Sequence, residues 1–307
     1  MKYIVTGGAG FIASHIVDKL IEQKNEVAVI DNLSTGKKEN LNPKAVFYKI
    51  DIQDSKISEI FKKEKPDIVF HYAAQIDVRK SVENPIESAK TNILGSLNIL
   101  ENCRNFGVKK IIFASSGGAI YGETKIIPTP EGCPAQPISP YGIEKLVVEN
   151  YLHFYKKEYG LDYLILRFAN VYGPRQNSKG EGGVVAIFCA KLLDGSHPVV
   201  NGDGKQTRDF IFVDDIIKAN ILGLNKNESG VFNIGTGVET DINTVFEKLK
   251  EMFGSKVQET HGPGKAGEQK RSCLNCAKAE EELGWTAKYN LENGLKDTLL
   301  WFKSHKF

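Results

Sequence analysis

The fold can be predicted from one glycine-rich segment near the N-terminus, Thr6-Gly7-Gly8-Ala9-Gly10-Phe11-Ile12-Ala13. The segment follows a short apolar run and opens a stretch of helical length. Glycines at such a place allow a tight turn, and they let backbone N–H groups approach a pyrophosphate at the positive end of the helix. The segment therefore predicts a dinucleotide site at the end of the first strand.

An acidic residue lies at the distance that such a site requires. Asp31 ends the second apolar run, about twenty residues after Gly10, where its carboxylate can accept hydrogen bonds from the hydroxyls of an adenosine ribose. The same negative charge would repel a 2′-phosphate. The pattern therefore favours NAD over NADP as the cofactor.

Apolar runs alternate with segments of helical length through the first half of the chain. Buried strands are predicted at residues 3–5, 27–30, 68–70, 111–113 and 163–166. Helices are predicted near residues 10–23, 56–64, 86–105 and 139–158, and later at 241–252, 275–284 and 291–303. This alternation is typical of a parallel sheet wound on both sides. We expect an α/β protein with a Rossmann-type doubly wound parallel sheet and a smaller, interleaved α/β substrate-binding lobe.

Glycine and asparagine become common after about residue 166, and the predicted elements become shorter. The runs at 210–213 and 231–234 could add strands to the sheet or begin the second lobe. We predict a dinucleotide-binding domain over residues 1–168 with about 208–236, and a substrate-binding lobe over 169–207 and 237–307.

Composition excludes several classes of function. The 307 residues carry 40 Lys+Arg against 38 Asp+Glu, a net charge of +2 that attracts neither nucleic acid nor an anionic membrane. A signal peptide and a membrane-spanning run are not seen, and the five cysteines are scattered, so a cytoplasmic location is expected. Cys273 and Cys276 have the spacing of a metal knuckle, but no second pair completes four ligands, and we expect no metal.

Acid–base chemistry is indicated by Tyr141 and Lys145, which lie four residues apart in a predicted helix and so share one face. A phenol has a pKa of about 10 and is a weak base. A nearby ammonium, together with a cationic nicotinamide, favours the phenolate and brings the base towards neutral pH. Tyr141 could then take the proton of a sugar hydroxyl while hydride leaves for the cofactor.

Further motifs lie along the chain. They are Asp51-Ile52, His71-Tyr72-Ala73-Ala74-Gln75, Tyr121-Gly122, Leu166-Arg167-Phe168-Ala169-Asn170-Val171-Tyr172-Gly173-Pro174 and Arg208-Asp209-Phe210. With the Gly-x-x-Gly-x-x-Ala turn and the Tyr-Gly-x-x-Lys segment, they make the chain resemble the extended short-chain dehydrogenase/reductases of the NAD-dependent epimerase/dehydratase superfamily. Within that superfamily the chain is most similar to UDP-glucose 4-epimerases, over essentially its whole length.

The resemblance implies an isomerase of galactose metabolism that uses NAD to interconvert UDP-glucose and UDP-galactose through a transient 4-keto sugar. It also implies a homodimer that pairs the 86–105 and 139–158 helices. The cofactor-binding residues implied are Gly7, Gly10, Phe11, Ile12, Asp31, Asn32, Leu33, Ser34, Thr35, Gly36, Asp51, Ile52, Ala73, Ala74, Gln75, Asn92, Ser115, Tyr141, Lys145 and Phe168.

The resemblance also implies residues that contact the UDP-sugar. They are Ser116, Tyr141, Asn170, Val184, Val199, Asn201, Arg208, Lys265 and Glu268. The family usually carries a Ser or Thr where this chain has Gly117, so that the neighbouring Ser116 is the predicted third catalytic residue beside Tyr141 and Lys145. A lysine at 265 replaces the family's usual arginine, which keeps the charge and loses the paired hydrogen bonds.

Other substrates and reactions stay open at this point. Ser272 stands where a bulky residue restricts the hexose, so UDP-GlcNAc is an alternative, and Arg175 could meet the carboxylate of UDP-glucuronate. A dehydratase or decarboxylase is disfavoured, because dehydratases carry an Asp-Glu pair where this chain has Gly118-Ala119. A non-catalytic NAD-binding sensor is a third class.

Overall fold

A computed structural model of the chain describes residues 1–179, 183–226, 229–264 and 269–305. The strands in chain order are β1 (Lys2–Thr6), β2 (Glu26–Asp31), β3 (Val46–Lys49), β4 (Ile68–His71), β5 (Lys110–Ser116), β6 (Asp162–Phe168), β7 (Asn170–Tyr172), β8 (Val199–Asn201), β9 (Thr207–Phe212), β10 (Gly230–Ile234), β11 (Glu239–Asp241) and β12 (Thr260–Gly262).

The helices in chain order are α1 (Phe11–Glu22), α2 (Ile57–Glu64), α3 (Val78–Glu83), α4 (Pro85–Ala89), α5 (Gly95–Asn105), α6 (Gly117–Ile120), α7 (Pro140–Tyr159), α8 (Val184–Asp194), α9 (Val213–Leu224), α10 (Ile242–Phe253), α11 (Ala277–Leu283) and α12 (Leu291–Ser304). A 3₁₀ turn covers Lys38–Asn40, and a π-helix covers Lys90–Leu94 between α4 and α5.

A seven-stranded sheet in the order β10-β6-β5-β4-β1-β2-β3 forms the centre of the molecule. All its neighbouring strands are parallel. One face packs against α1 and α9 and the other against α2, α5 and α7, so that two apolar clusters cover the sheet. The strand order reverses between β1 and β4, and ligands bind at such a point, outside the carboxyl ends of the strands. The predicted doubly wound sheet is confirmed.

Two small sheets, β11-β9-β7 and β12-β8, lie outside the large one. The run at 231–234 belongs to β10 of the large sheet, whereas 210–212 belong to β9 of a small one. The chain thus crosses between the two parts, as the expected interleaving requires. The domain boundaries stay predictions.

The structure also differs from the expected elements. The helix predicted at 86–105 is divided by the π-helix, and β3, α3, α8 and α9 were not predicted. Helix α8 reads VVAIFCAKLLD, an apolar run whose β-branched residues favour a strand in isolation. Its packing against α10 and α12 makes it a helix. Across the described ranges, the structure contains no helix with the length and apolar character needed to span a membrane.

A buried histidine joins three elements beneath the expected ligand edge. His71 Nδ1 lies 2.8 Å from Thr6 Oγ1, and its Nε2 lies 2.9 Å from Ser96 Oγ. Thr6 Oγ1 already accepts the N–H groups of Tyr72 and Ala73, so the hydroxyl donates to Nδ1 and the proton of neutral His71 is on Nε2. Burial, with Lys145 adding repulsion, lowers the pKa of His71 to about 3.

This histidine predicts an acid-dependent loss of stability. Below about pH 6.5 the unfolded chain binds a proton at His71 and the folded chain does not. The free energy of unfolding therefore decreases by up to about 1.4 kcal/mol for each pH unit of acidification below that value. His71→Gln keeps hydrogen-bonding capacity without titrating. Urea unfolding at pH values from about 6.5 down to 5 should give a steeper loss for the unaltered chain than for His71→Gln. Parallel slopes would contradict the assignment.

Candidate active site

The glycine turn is packed tightly onto the sheet. Gly7 has φ +72°, and a Cβ there would lie 2.8 Å from the backbone nitrogen of Ala73 in the loop after β4. A Cβ on Gly8 would meet Val29 of β2 at 2.7 Å. Helix α1 then begins behind Gly10 as N-cap, without a side-chain cap. Side chains are thus excluded at Gly7 and Gly8, and no side chain caps the positive end of α1, which suits an anionic ligand there.

Asp31 lies against this turn at the carboxyl end of β2. Its Oδ2 accepts the Ala9 N–H at 3.0 Å and its Oδ1 accepts the Leu33 N–H at 2.7 Å, which fixes the carboxylate. Beside it Asn32 donates to Asp51 Oδ2 at 2.7 Å. A glycine cradle with a fixed carboxylate at the point where the sheet reverses fits an NAD pyrophosphate and ribose.

The other residues predicted for the cofactor lie mostly along the same edge of the sheet. They follow β2 (Ser34, Thr35, Gly36), follow β4 (Ala73, Ala74, Gln75), lie at the start of α1 (Phe11, Ile12) and at Asp51 and Ile52 after β3, occupy the π-helix (Asn92), or end β5 and β6 (Ser115, Phe168). Ser115 donates its hydroxyl to Glu149 Oε1 at 2.6 Å, and the centre of the Phe168 ring lies 6.1 Å from that of Tyr72.

Tyr141 is placed by the first turn of α7. Ser139 caps the helix by accepting the Gly142 N–H, and Pro140 occupies the first turn, where its missing N–H costs nothing. Gly142 has no room for a side chain, because a Cβ would lie 2.5 Å from the Ala119 carbonyl oxygen of α6. The Tyr141 N–H donates to Ser81 Oγ at 3.2 Å. The start of α7 is thereby held against α3 and α6.

The pKa values at the site follow from burial. Burial raises the pKa of Tyr141 to about 12, a hydrogen bond with Ser116 opposes the rise, and the charge of Glu144 adds to it. Burial lowers the pKa of Lys145 to about 8 against the attraction of Glu144 and Glu149. Lys145 Nζ donates to the Ala114 carbonyl at 2.9 Å and lies 5.8 Å from the centre of the Tyr141 ring. The predicted lowering of the Tyr141 pKa by Lys145 is therefore not found in this structure, where burial raises that pKa and the hydrogen bond with Ser116 opposes the rise.

The glycine at position 117, where the family usually carries Ser or Thr, is packed against a residue that is distant in the chain. A Cβ at Gly117 would lie 2.6 Å from Leu274 Cδ1, whereas a Cβ at Gly118 would meet nothing nearer than 3.9 Å. Leu274 is buried against Tyr121 and Cys133, and its N–H donates to Asp209. A Ser or Thr side chain at 117 would have to displace the Leu274 side chain, and the hydroxyl that hydrogen-bonds with Tyr141 is that of Ser116.

A buried ion pair holds α7 on the sheet, and sequence reasoning missed it. Arg167 of β6 donates through Nε to Glu149 Oε1 at 3.0 Å and through Nη2 to Oε2 at 2.6 Å. Its Nη1 reaches the Tyr121 hydroxyl at 2.8 Å, which in turn donates to Asn233 of β10. An arginine inside an apolar strand was the available signal, since buried charges are almost always paired.

The residues predicted for the substrate are spread around the second lobe. Asn170 begins β7, and its Oδ1 would be 3.9 Å from a Cβ on Gly118, as would Ser272 Oγ. These three positions therefore border one space. Arg208 lies on β9 and donates to the Thr207 carbonyl. Asn201 ends β8, Val199 on the same strand is exposed, and Val184 begins α8. Lys265 and Glu268 lie outside the described residues.

Two other expectations can be compared with the structure. Arg175 Nη2 forms an ion pair with Asp18 Oδ2 of α1 at 2.7 Å. The guanidinium, which is a candidate contact for the carboxylate of UDP-glucuronate, thus already has a carboxylate partner within the chain. Within the described ranges no group of His, Cys, Asp and Glu is arranged to hold a metal ion. Cys273 and Cys276 are free thiols, and burial raises the pKa of both.

Comparisons with known proteins agree with this geometry. Residues 3–235 match the model of the NAD dependent epimerase/dehydratase family. The chain is 48% identical to a putative UDP-glucose 4-epimerase of Methanocaldococcus jannaschii over 98% of each chain. It is similar to the UDP-glucose 4-epimerase of Thermotoga maritima solved with UDP-glucose, at 51% identity, TM-score 0.98 and 99% coverage of each chain. It is also similar to the UDP-N-acetylglucosamine 4-epimerase of Methanobrevibacter ruminantium, at 39% identity, TM-score 0.94 and coverage of 99% and 98%.

The contact between Gly117 and Leu274 predicts non-additive stability changes. Gly117→Ser forces Leu274 aside and should cost about 1–3 kcal/mol, and Leu274→Ala alone about 2–5 kcal/mol. The double variant should be more stable than the sum by about 1–2 kcal/mol, because the new side chain enters the space that Leu274 leaves. Urea unfolding of the four proteins measures this.

Gly118→Ser is the matched control, because its neighbours are distant. It should show no such coupling with Leu274→Ala. Additive effects of Gly117→Ser and Leu274→Ala would show that the contact does not determine residue 117.

Proposed function

Because the chain belongs to the NAD dependent epimerase/dehydratase family, we propose that it is an NAD-dependent UDP-hexose 4-epimerase. It interconverts UDP-glucose and UDP-galactose through a transient 4-keto sugar. The observation that carries the proposal is the hydrogen bond between Tyr141 and Ser116 at the carboxyl end of β5, with Lys145 Nζ bonded to the Ala114 carbonyl of the same strand. Strand β5 is parallel to β1 and ends at the same edge of the sheet as the glycine turn. Gly118, two residues after Ser116, borders the space that Asn170 and Ser272 also border.

The chain's own residues divide the work of holding the cofactor. The turn from Gly7 to Gly10 binds the pyrophosphate, Asp31 binds the adenosine ribose, and Lys145 binds the nicotinamide ribose. NAD, when bound, accepts the hydride of hexose C4 and returns it, so the net redox change is zero. It also brings a positive charge to the site.

Tyr141 moves the proton of the 4-hydroxyl. Its pKa of about 12 without ligand makes the phenolate rare at neutral pH, so a positive charge nearby is needed to stabilise it. The Lys145 ammonium contributes that charge together with the cofactor. Tyr141 takes the proton as hydride leaves C4 and returns it after the sugar has turned over, while Ser116 donates a hydrogen bond to the reacting oxygen.

The substrate is held by the second lobe. Arg208 binds the diphosphate, which suits the planar fork of a guanidinium. Asn170 contacts the hexose, and Val184, Val199 and Asn201 line the uridine pocket. Lys265 and Glu268 serve the diphosphate and the ribose. No group at Gly118 or Ala119 can exchange a proton, which disfavours a dehydratase.

UDP-GlcNAc is the second candidate substrate. The small side chain of Ser272 and the absence of a side chain at Gly118 favour room beside the hexose for an acetamido group. Comparing kcat/KM for UDP-Gal, UDP-GalNAc and UDP-GalA ranks the candidates. Ser272→Tyr should lower turnover of the N-acetylated sugar more than that of UDP-galactose.

A cytoplasmic homodimer is part of the proposal. Apolar side chains are exposed on neighbouring helices of one face: Val82 on α3, Ile86 on α4, Leu94 in the π-helix, and Ile143 and Phe154 on α7. Monomeric proteins rarely expose a continuous apolar patch of this kind. A two-fold pairing of the predicted 86–105 segment, which comprises α4, the π-helix and α5, and of α7 with their copies would cover it.

The first prediction from this proposal concerns turnover. Purified protein should convert UDP-galactose to UDP-glucose without added NAD. Tyr141→Phe should lower kcat about 10²–10⁴-fold, because it removes the group that transfers the proton. Tyr151→Phe, a half-exposed tyrosine on the same helix, is the control and should keep its activity. An absence of C4 inversion with UDP-Gal, UDP-GalNAc and UDP-GalA would overturn the assignment.

The second prediction concerns assembly. Sedimentation should give the mass of a dimer, and Leu94→Glu with Phe154→Glu should give a monomer, because the new charges lie in the apolar patch. Leu300→Glu, an exposed position on α12, is the control and should stay dimeric. A monomer before any substitution would contradict the pairing.

A further inference from the structure

A second buried carboxylate lies on the reactive face of α7. Glu144 is three residues after Tyr141 and directly before Lys145, so it shares their turn of helix. Only 3% of the residue is exposed. A buried carboxylate is costly unless it is hydrogen-bonded or paired, and the mechanism above does not use this one.

One oxygen of Glu144 is held by two donors. Oε2 accepts the Ser88 hydroxyl of α4 at 2.8 Å and the Asn92 amide of the π-helix at 2.6 Å. Oε1 is buried without a hydrogen-bond partner in the part of the chain that the structure describes. The carboxylate is therefore fixed in place, and half of its hydrogen-bonding capacity remains available.

The contact with Asn92 connects Glu144 to the ligand edge. Asn92 donates to the Gln75 carbonyl and accepts the Gln75 N–H, both at 2.8 Å. Gln75 belongs to the loop after β4, which lies beside the glycine turn. Asn92 sits in the π-helix, an irregularity that is frequent at functional sites. The chain Glu144–Asn92–Gln75 thus joins the reactive face of α7 to the loop expected to line the cofactor.

The negative charge of Glu144 raises the pKa of both Tyr141 and Lys145. Burial lowers the pKa of Lys145. The negative charges of Glu144 and Glu149 oppose this lowering, and Glu144 has the larger effect. Burial raises the pKa of Tyr141, and Glu144 adds to that rise while Ser116 opposes it. A fixed negative charge therefore favours the ammonium and disfavours the phenolate.

The other charged groups around α7 are paired, neutral or exposed. Glu149 on α7 is paired with Arg167 of β6, and His71 of β4 is held neutral. Lys110 lies at the far end of β5 and donates to carbonyls of α9 and the residues after it. The charged side chains on α3, α4, the π-helix and α5 are exposed or half-exposed. They are Arg79, Lys80, Glu83, Glu87, Lys90, Glu101 and Arg104. Helix α6 carries no charge.

We propose that Glu144 is a positioning residue that sets the pH range of the reaction. Through Asn92 it fixes α7 against the loop after β4, and its charge holds Lys145 protonated while opposing the ionisation of Tyr141. This rests on the proposed function, since it assigns a role in the same site. It predicts that both ends of the pH profile depend on one buried carboxylate.

Glu144→Gln tests the charge while keeping the shape. Removing a negative charge lowers the pKa of both neighbours. The acid limb of kcat/KM, where Tyr141 must lose its proton, and the alkaline limb, where Lys145 must keep its own, should both move to lower pH by about one unit. Glu158→Gln, exposed near the end of α7, is the matched control and should leave the profile unchanged. A residue with a purely structural role would lower activity at every pH without moving either limb.

A spectroscopic titration gives a readout besides activity. The ultraviolet absorbance of tyrosinate in the NAD-loaded protein, minus that of Tyr141→Phe, reports the ionisation of Tyr141 alone. Its midpoint should fall by about one unit in Glu144→Gln relative to the parent. Glu144→Ser, a smaller neutral side chain, should shift the midpoint in the same direction and replaces Glu144→Gln if that variant does not fold.

The outcomes separate the two proposals. A shifted tyrosine midpoint in a protein without C4 inversion would support the role of Glu144 and overturn the epimerase. Normal inversion with unshifted limbs and an unshifted midpoint would overturn the role of Glu144. Movement of one limb alone would also overturn it, because one charge must act on both groups.

Discussion

The buried ion pair between Glu149 and Arg167 fixes the helix on which the proposed chemistry depends. Two charges taken out of water stabilise a fold only when their geometry is good and their remaining hydrogen-bonding groups are satisfied. Here Ser115 and Tyr121 complete the pair, and Asn233 continues the network into β10. Helix α7 is thus attached to three parallel strands, and its first turn is directed to their carboxyl ends. The pair thereby restrains rotation and sliding of α7, the helix that carries Tyr141 and Lys145.

Local sequence was sufficient for the large sheet and the cofactor end. The glycine turn, the acid after the second strand and five short apolar runs each follow from near neighbours in the chain, and the structure agrees with them. The same reasoning failed where packing overrides local preference. Helix α8 begins with two valines in an apolar run that a strand could equally contain, and the π-helix at Lys90–Leu94 has no sequence signal that separates it from an ordinary helix.

The residues packed around Tyr141, Lys145 and Ser116 come from distant parts of the chain. For this reason they could be predicted from the sequence only in part. The proposed catalytic residues Tyr141 and Lys145 were inferred from their spacing, and Ser116 from its neighbour Gly117. The reason for Gly117 is Leu274, which no local pattern connects to it. Ser115 is predicted to contact the cofactor, and the hydrogen bond from its hydroxyl to Glu149 could be seen only in the structure. Glu144 was overlooked because a glutamate in a helix is usually a surface residue, and only the structure shows it buried against Ser88 and Asn92.

In the proposed reaction Tyr141 transfers only the proton of the 4-hydroxyl, and the hydrogen bound to C4 is transferred as hydride to the cofactor and back. The hydrogen at C4 must therefore return to the same carbon. UDP-galactose labelled with deuterium at C4 tests this when it is incubated with the purified holoenzyme in ordinary water and the product is analysed by mass spectrometry and NMR. The account predicts UDP-glucose of unchanged mass that keeps the deuterium at C4. Deuterium lost to the solvent, or a product lighter by water or carbon dioxide, would contradict it.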